Sequence, residues 1–196
     1  PSYFSKRSGF VINQLSGGGC EHMGNFPTFP VKGKLKMSPD NILNYRINIS
    51  EEKGHAGYYE AKVQEDIHAK LTVTERTGMA SYEYPADQQY GTVIIGGGIS
   101  ATPIEQAAIV ITAPNKCEGY AEGGNFCGLR TPYKVYFVAE FDTDALESGT
   151  WKRNELKPNT TFAEGEYSGV YFTFDVNKKK NIQYKIGVSY VSVENA

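Results

Sequence analysis

The sequence lacks a long apolar run, and it lacks an excess of charge of either sign. No stretch reaches the ~18–20 consecutive apolar residues that a membrane-spanning helix needs. The formal net charge is -2, with 20 basic and 22 acidic residues, so the charge balance gives no basis for binding nucleic acid. We therefore expect neither a membrane partner nor a nucleic-acid partner.

Residues that commonly hold metals or perform nucleophilic catalysis are also few. The three histidines, His22, His55 and His68, are scattered along the chain, and the Cys20–His22 pair is a weak match to the ligand spacing of zinc sites. Spacing alone shows neither a Ser-His-Asp arrangement nor two carboxylates placed across one bond. The sequence therefore assigns no metal ligand and no catalytic residue.

Cysteine is limited to Cys20, Cys117 and Cys127, which is an odd number. Cys117 and Cys127 bracket a short loop, and they would pair in an oxidising compartment. Two free thiols are an equally good interpretation, because spacing does not fix pairing. Both alternatives stay open at this point.

Strand-forming residues and glycine are abundant instead. The chain has 14 Tyr, 10 Phe and 21 Gly, a composition typical of strands joined by turns. Period-two or continuous apolar patterns predict strands, with 133–141 the longest and 91–95 buried on both faces. The predicted strands are residues 9–15, 26–31, 42–49, 57–63, 67–76, 79–85, 91–95, 107–112, 133–141, 170–176 and 182–193. This pattern predicts an all-β sandwich or barrel.

Two glycine runs interrupt the strands. The first, Ser16–Cys20, has polar neighbours and is either a ligand-facing loop or a tight turn. The second, Gly96–Ala101, fits the G-x-G-x-x-A pattern of dinucleotide-binding loops. Pro103 and the β-rich segment 109–112 leave little room for the helix which that fold requires, so we predict a turn or bulge there.

Several aromatic residues offer flat faces on which a sugar would stack. In a tyrosine-rich β protein such residues are more often core residues or cross-strand pairs, and we favour that interpretation. The residues concerned are Tyr58, Tyr59, Tyr120, Phe126 and Trp151.

Six segments occur in a recognisable order: residues 9–20, 57–59, 71–78, 82–85, 133–141 and 185–196. Together they resemble the N-terminal domain of glycoside hydrolase family 92, a family of bacterial exo-acting α-mannosidases. The resemblance covers nearly the whole chain. It implies a two-sheet β-supersandwich of galactose-mutarotase type, mostly antiparallel.

The same resemblance implies that residues 1–196 are a single domain, truncated at both ends from a larger two-domain glycoside hydrolase. Its partner would be the (α/α)6 catalytic domain of the same parent chain. The family's reaction is calcium-dependent and inverts the anomeric configuration. The acid, the base and the calcium ligands belong mainly to the barrel, so we expect no cofactor in this chain, calcium in the missing domain, and a periplasmic or extracellular bacterial enzyme.

The first glycine run matches the family loop that lines the sugar pocket. The resemblance therefore implies that the loop contacts a mannose-containing glycan, with Gly17, Gly18 and Gly19 admitting the sugar close to the backbone. The polar contacts implied are Ser16, Cys20 and His22. Family members commonly carry histidines just before this loop, whereas this chain has Val-Ile-Asn-Gln at 11–14, so those contacts are altered.

We interpret the chain as the non-catalytic half of an α-mannosidase, inactive by itself. The alternative is a free-standing carbohydrate-binding sandwich, which requires an exposed aromatic platform. A structural module without a ligand is a third class, and a deep glycine-lined edge would argue against it.

Overall fold

The computed structural model describes residues 9–15, 22–42, 49–125 and 127–196, and their regular secondary structure is almost entirely β-strand. In chain order the elements are β1 (Gln14–Leu15), β2 (His22–Met23), β3 (Thr28–Lys32), α1 (Pro39–Ile42), β4 (Ile49–His55), β5 (Tyr58–Val63), β6 (Ile67–Val73), β7 (Thr77–Glu83), β8 (Tyr90–Gly96), β9 (Ile104–Ala113), β10 (Lys116–Gly123), β11 (Tyr133–Phe141), β12 (Glu147–Lys152), β13 (Glu155–Pro158), β14 (Phe162–Glu164), β15 (Ser168–Asp175) and β16 (Asn181–Ser189). Among these residues, no helix is long and apolar enough to cross a membrane.

The strands form two large antiparallel sheets and a separate hairpin. The first sheet has the order β14-β9-β10-β11-β16-β7-β6-β5-β4, and the second has the order β13-β12-β15-β8-β3. The hairpin consists of β1 and β2 alone. The all-β, mostly antiparallel, two-sheet prediction is confirmed.

Period-two alternation places one face of each strand in the core. In β11, Val135, Phe137 and Ala139 are fully buried, and the residues between them point to the other face. The predicted β5–β6 hairpin is present, and Gln64 and Glu65 make its turn with positive φ. The core lies between the two sheets and contains mainly Phe, Tyr, Val and Ile side chains.

The five-stranded sheet is covered on both faces. Strand β8 is its near-central member, as predicted for an apolar strand buried on both sides. Val93 faces the main core, while Ile94 faces a second cluster with Trp151 and Tyr171. Leu35, in the segment that follows β3, packs against this second cluster and covers it.

The outer strands of the sheets carry irregularities. Strand β4 is exposed along its length and shifts register between Ser50 and Lys53, with Glu51 at a φ of 53°. Strand β14 has only three residues. The outer strands of the smaller sheet, β3 and β13, contain Pro30 and Pro158, which suit strand edges.

Several strand predictions are wrong in detail. The strand predicted over 9–15 is reduced to β1 with an isolated bridge between Phe10 and Thr28, and the loop predicted between Cys117 and Cys127 is mostly β10. Ile42 ends α1, and within the described residues the strand predicted over 42–49 is represented by Ile49 at the start of β4. Strand β9 has 10 residues and β11 has 9, so 133–141 is not the longest. Strand β16 ends at Ser189, because the chain turns back there with Val191 N–H bonded to the Ser189 hydroxyl.

Both interpretations of the Cys117–Cys127 pair are wrong. Cys117 is a free thiol, fully buried on the core face of β10, and burial raises its pKa. Cys127 lies on the exposed turn after β10 and is disulfide-bonded. The two side chains therefore occupy different environments, a difference that their spacing in the sequence does not show.

Candidate functional site

In the chain, the first glycine run lies between β1 and β2, which pair as a hairpin. Gln14 pairs with Met23 and Leu15 pairs with His22. The loop Ser16–Cys20 lies outside the described residues, as does the side chain of His22, so the predicted sugar contacts stay predictions. The described residues do show what the hairpin is attached to.

Backbone hydrogen bonds join the hairpin to the second glycine run. The Gly24 N–H donates to the Asn13 carbonyl at 2.6 Å, closing the hairpin at its base. The Ala101 N–H donates to the Met23 carbonyl at 2.8 Å. The base of the hairpin and the second glycine run are therefore neighbours in space, although they are far apart in the chain.

A group of polar side chains lies beneath this junction, and we call it the rim cluster. Its members are Asn13, Asn25, Ser100, Thr102 and Tyr133. Asn13 Nδ2 donates to Asn25 Oδ1 at 3.1 Å, and the Tyr133 hydroxyl donates to the same oxygen at 2.8 Å. The Asn25 N–H donates to Asn13 Oδ1 at 2.9 Å.

The rim cluster is only partly satisfied, although much of it is buried. Asn25 is completely buried, yet its Nδ2 has no hydrogen-bond partner among the described residues. Burial raises the pKa of Tyr133, and its hydrogen bond to Asn25 opposes that rise. An unsatisfied buried donor costs about 1–3 kcal/mol, and Thr102 Oγ1 in the same cluster is also without a partner among the described residues.

Sequence reasoning identified Asn13 in this group but missed Asn25, Thr102 and Tyr133. The available signal was the pair of asparagines that flanks the glycine run. Tyr133 lies 108 residues beyond Asn25, and a single sequence does not reveal such a contact.

The second glycine run is a packed turn, as predicted, and not a phosphate cradle. The Gly97 and Gly98 N–H groups both donate to the Ser168 carbonyl, at 2.9 and 3.0 Å. Strand β9 follows at Ile104, whereas a dinucleotide site needs a helix there. A Cβ on Gly98 would lie 1.9 Å from the Gly165 carbonyl oxygen, so the absent side chain permits the close approach.

A depression of about 100 Å³ lies beside this turn. Its one acidic lining residue is Glu166, whose Oε1 accepts the Ile104 N–H at 3.4 Å. General acid–base hydrolysis of a glycoside needs two carboxyl groups placed across the bond. This depression therefore does not form a glycosidase active centre.

Side chains that could ligate a metal are dispersed in the part of the chain that the structure describes. In residues 9–15, 22–42, 49–125 and 127–196, no three acidic, histidine or cysteine side chains converge into a metal-binding group. His55 is exposed and His68 is half-buried near Glu60, with 4.0 Å between His68 Nε2 and the carboxylate.

The candidate stacking aromatics divide into two groups. Trp151 is buried, and Tyr120 pairs with Tyr136 at 6.2 Å between ring centroids, as expected for core and cross-strand residues. Tyr58 and Tyr59 instead line an open groove of about 330 Å³ at the β4–β5 edge. Phe126 lies outside the described residues.

The fold has clear relatives among solved structures. The inverting mannosidase BT2199 of Bacteroides thetaiotaomicron, a family GH92 member, superposes with a TM-score of 0.72 at 23% identity, over 88% of this chain and 22% of that one. The family GH92 α-mannosidase BT3965 of the same species superposes with a TM-score of 0.80 at 22% identity, over 95% of this chain and 27% of that one. This chain thus spans about a quarter of the length of these enzymes, and the likeness shows the fold.

Sequence comparison supplies the family. A search of curated proteins finds no match. The family description "Glycosyl hydrolase family 92 N-terminal domain" matches residues 3–189, which is nearly all of the 196 residues. The chain therefore belongs to the glycosyl hydrolase family 92 N-terminal domains.

Proposed function

We propose that this chain forms the sugar-pocket wall of an exo-acting α-mannosidase whose catalytic residues lie in a separate (α/α)6 domain of the same parent protein. The family match over residues 3–189 is the observation that carries this proposal. Two similar structures support the substrate class, because one is an inverting mannosidase and another is an α-mannosidase in complex with mannoimidazole. A mannose-containing glycan is the substrate that follows.

The loop Ser16–Cys20 and His22 would contact the sugar. Support comes from the hydrogen bonds that attach the β1–β2 hairpin to Ala101 of the second glycine run and to Asn25 of the rim cluster. Binding loops work best when a rigid scaffold positions them. The glycines would let the sugar approach the backbone, and Ser16 and His22 would supply polar contacts.

The reaction would be hydrolysis with inversion. In that mechanism one carboxylic acid protonates the leaving oxygen, while a second carboxylate activates water on the opposite face of the sugar. No such pair is assigned in this chain, so we expect no turnover by this domain alone. Calcium would be held by the catalytic domain, because the described residues offer no fitting ligand group.

A periplasmic or extracellular location fits this proposal. Cys127 is disulfide-bonded, and disulfides persist mainly in oxidising compartments. This observation favours export of the parent protein.

The test is hydrolysis of an α-mannoside by the full-length parent protein. We expect Gly18→Val and His22→Ala to reduce kcat/KM by about tenfold or more, which corresponds to ~1.4 kcal/mol of lost transition-state stabilisation. His68→Ala is the matched control for His22→Ala, because His68 lies on β6 in the nine-stranded sheet. Wild-type rates and affinities in the Gly18 and His22 variants would overturn the proposed pocket role.

Two further measurements test the stereochemistry of the reaction and its calcium requirement separately. Proton NMR of the first-formed sugar should show β-mannose if the reaction inverts. Chelation should abolish activity, and added calcium should restore it, if calcium is required. An initial α product, or full activity in chelator, would contradict these two parts while leaving the substrate class standing.

A second candidate function is carbohydrate binding at the β4–β5 groove. His55 stacks on Tyr58 with 5.3 Å between ring centroids, and the groove between them and Leu71 is open. The Tyr58→Ala variant should then bind a soluble mannan more weakly than wild type. Its hydrolysis of a small mannoside should be unchanged. Unchanged mannan affinity would exclude this function.

A further inference from the structure

The β1–β2 hairpin has little of its own to hold it in place. Each strand contributes two residues, and neither strand joins one of the large sheets. An isolated two-stranded hairpin is marginally stable in water. Among the described residues, the contacts that hold it in place are at its base.

We propose that Asn25 and Tyr133 are positioning residues that fix the base of the β1–β2 hairpin and thereby affect sugar binding. This inference rests on the proposed function for its consequence, and on the rim cluster for its physical basis. Neither residue is proposed to touch the sugar, since Asn25 is completely buried.

The hydrogen bonds fix which way the two amides point. The Asn25 N–H needs an acceptor, so the Asn13 side-chain atom that it contacts is Oδ1. The other terminal atom of the Asn13 amide is therefore Nδ2. Asn13 Nδ2 is a donor, so the Asn25 side-chain atom within hydrogen-bond distance of it is the acceptor Oδ1. The Tyr133 hydroxyl donates to this same oxygen.

Asn25 Oδ1 is consequently a shared acceptor between two separate parts of the fold. One donor belongs to Asn13, immediately before β1, and the other belongs to Tyr133, the first residue of β11 in the large sheet. Phe26, next to Asn25, packs on Phe137 of the same strand with 4.2 Å between ring centroids. The core thus fixes Asn25, and Asn25 fixes the hairpin base.

The other contacts of the hairpin are fewer. The Ala101 N–H bonds the Met23 carbonyl, and the Tyr190 hydroxyl donates to the Met23 sulfur at 3.6 Å. A thioether is a weak acceptor. Loss of the Tyr133 hydroxyl should therefore loosen the hairpin without unfolding the sandwich.

The decisive variant is Tyr133→Phe in the full-length protein, assayed on an α-mannoside. We expect KM to rise about three- to tenfold, the effect of one net hydrogen bond, with kcat within about twofold of wild type. Hydrogen exchange at the amides of residues 23–25 should also accelerate. Tyr184→Phe, the same chemical change at a core tyrosine, should leave KM and this exchange unchanged.

A second variant tests whether the rim cluster acts as one unit. Asn13→Ala removes the other donor to Asn25, and Asn13 is only partly buried, so the variant should fold. The double variant Asn13→Ala/Tyr133→Phe should raise KM by less than the product of the two single effects. Multiplicative effects would contradict a shared role.

The outcomes distinguish this inference from the proposed function. A wild-type parent that cleaves no α-mannoside overturns the proposed function, and amide exchange still tests whether Tyr133 fixes the hairpin. An active parent whose Tyr133→Phe and Asn13→Ala variants keep wild-type KM and exchange overturns the inference alone.

Discussion

Two networks of polar side chains lie within the sandwich, and they differ in how completely they are satisfied. In the core, the hydroxyls of Thr28, Tyr82 and Tyr184 lie within hydrogen-bond distance of one another, and Thr28 also donates to the Phe10 carbonyl at 3.3 Å. Every hydroxyl there has a partner. In the rim cluster, the buried Nδ2 of Asn25 has none among the described residues.

This difference separates a structural role from a functional one. A fully satisfied buried network stabilises a unique arrangement of the core. A partly satisfied network costs free energy, and a functional site is one reason for a protein to keep it. Trp151 Nε1, which also has no partner among the described residues, shows that such a group occurs in the packed core as well. The core network therefore predicts effects on stability, and the rim cluster predicts effects on sugar binding.

The largest expected effect comes from displacing the segment 97–103, which contains Ser100 and Thr102 of the rim cluster. Gly98→Ala would place a Cβ 1.9 Å from the Gly165 carbonyl oxygen, so the 97–103 turn must shift. We expect a loss of about 3 kcal/mol in the free energy of unfolding, measured by denaturant titration. Gly33→Ala is the control, because its positive φ of 75° brings strain without any close contact, and it should cost only ~1 kcal/mol.

The next effect tests the core network. Tyr184→Phe leaves the buried hydroxyls of Thr28 and Tyr82 with one partner fewer, and we expect a loss of about 1–3 kcal/mol in the free energy of unfolding. The KM for an α-mannoside should not change. A raised KM with unchanged stability would reverse the roles assigned to the two networks.

A third prediction concerns alkaline pH. Burial raises the pKa values of Tyr82 and Tyr184, and burial together with a hydrogen bond to Glu52 raises the pKa of Tyr59 to about 12. Above pH ~10 the unfolded chain releases these phenolic protons first, so the free energy of unfolding should fall as pH rises. Titration of unfolding against pH should show a shallower decline in the Tyr82→Phe/Tyr184→Phe variant than in wild type. Parallel curves would contradict the burial argument.

The smallest expected effect comes from removing the Tyr190 hydroxyl. Tyr190 is half exposed, and its hydroxyl contacts only the weakly accepting sulfur of Met23 among its hydrogen bonds in the described residues. Tyr190→Phe should change the free energy of unfolding by less than ~0.5 kcal/mol and leave KM unchanged. A KM increase as large as that of Tyr133→Phe would mean that the sulfur contact, not the amide network, orients the hairpin.

Much of the fold was predictable because strand periodicity is a local property. The continuous apolar run at 91–95 identified a strand and its burial correctly. Alternation identified β6 and the burial of Ile67 and Ala69, whereas Val73 on the same face is exposed. The sequence also indicated that Gly96–Ala101 is a turn, since Pro103 blocks the helix that a nucleotide site needs.

Long-range pairing could not be predicted in the same way. The carbonyl of Ser168 accepts from Gly97 and Gly98, and Tyr133 reaches Asn25, through contacts between segments far apart in the chain. Cysteine spacing likewise did not show that Cys117 faces the core while Cys127 is disulfide-bonded. The sugar contacts of Ser16–Cys20 and His22 stay predictions, because they fall outside the described residues and side chains.

The outer strands described above bear on self-association. An open sheet edge is a template on which another chain can add a strand, and this is a route to aggregation. Here the exposed β4 has a bulge and charged residues, β14 is very short, and β3 and β13 carry Pro30 and Pro158. These features obstruct regular strand addition, so the domain should stay dispersed at high concentration without forming fibrils.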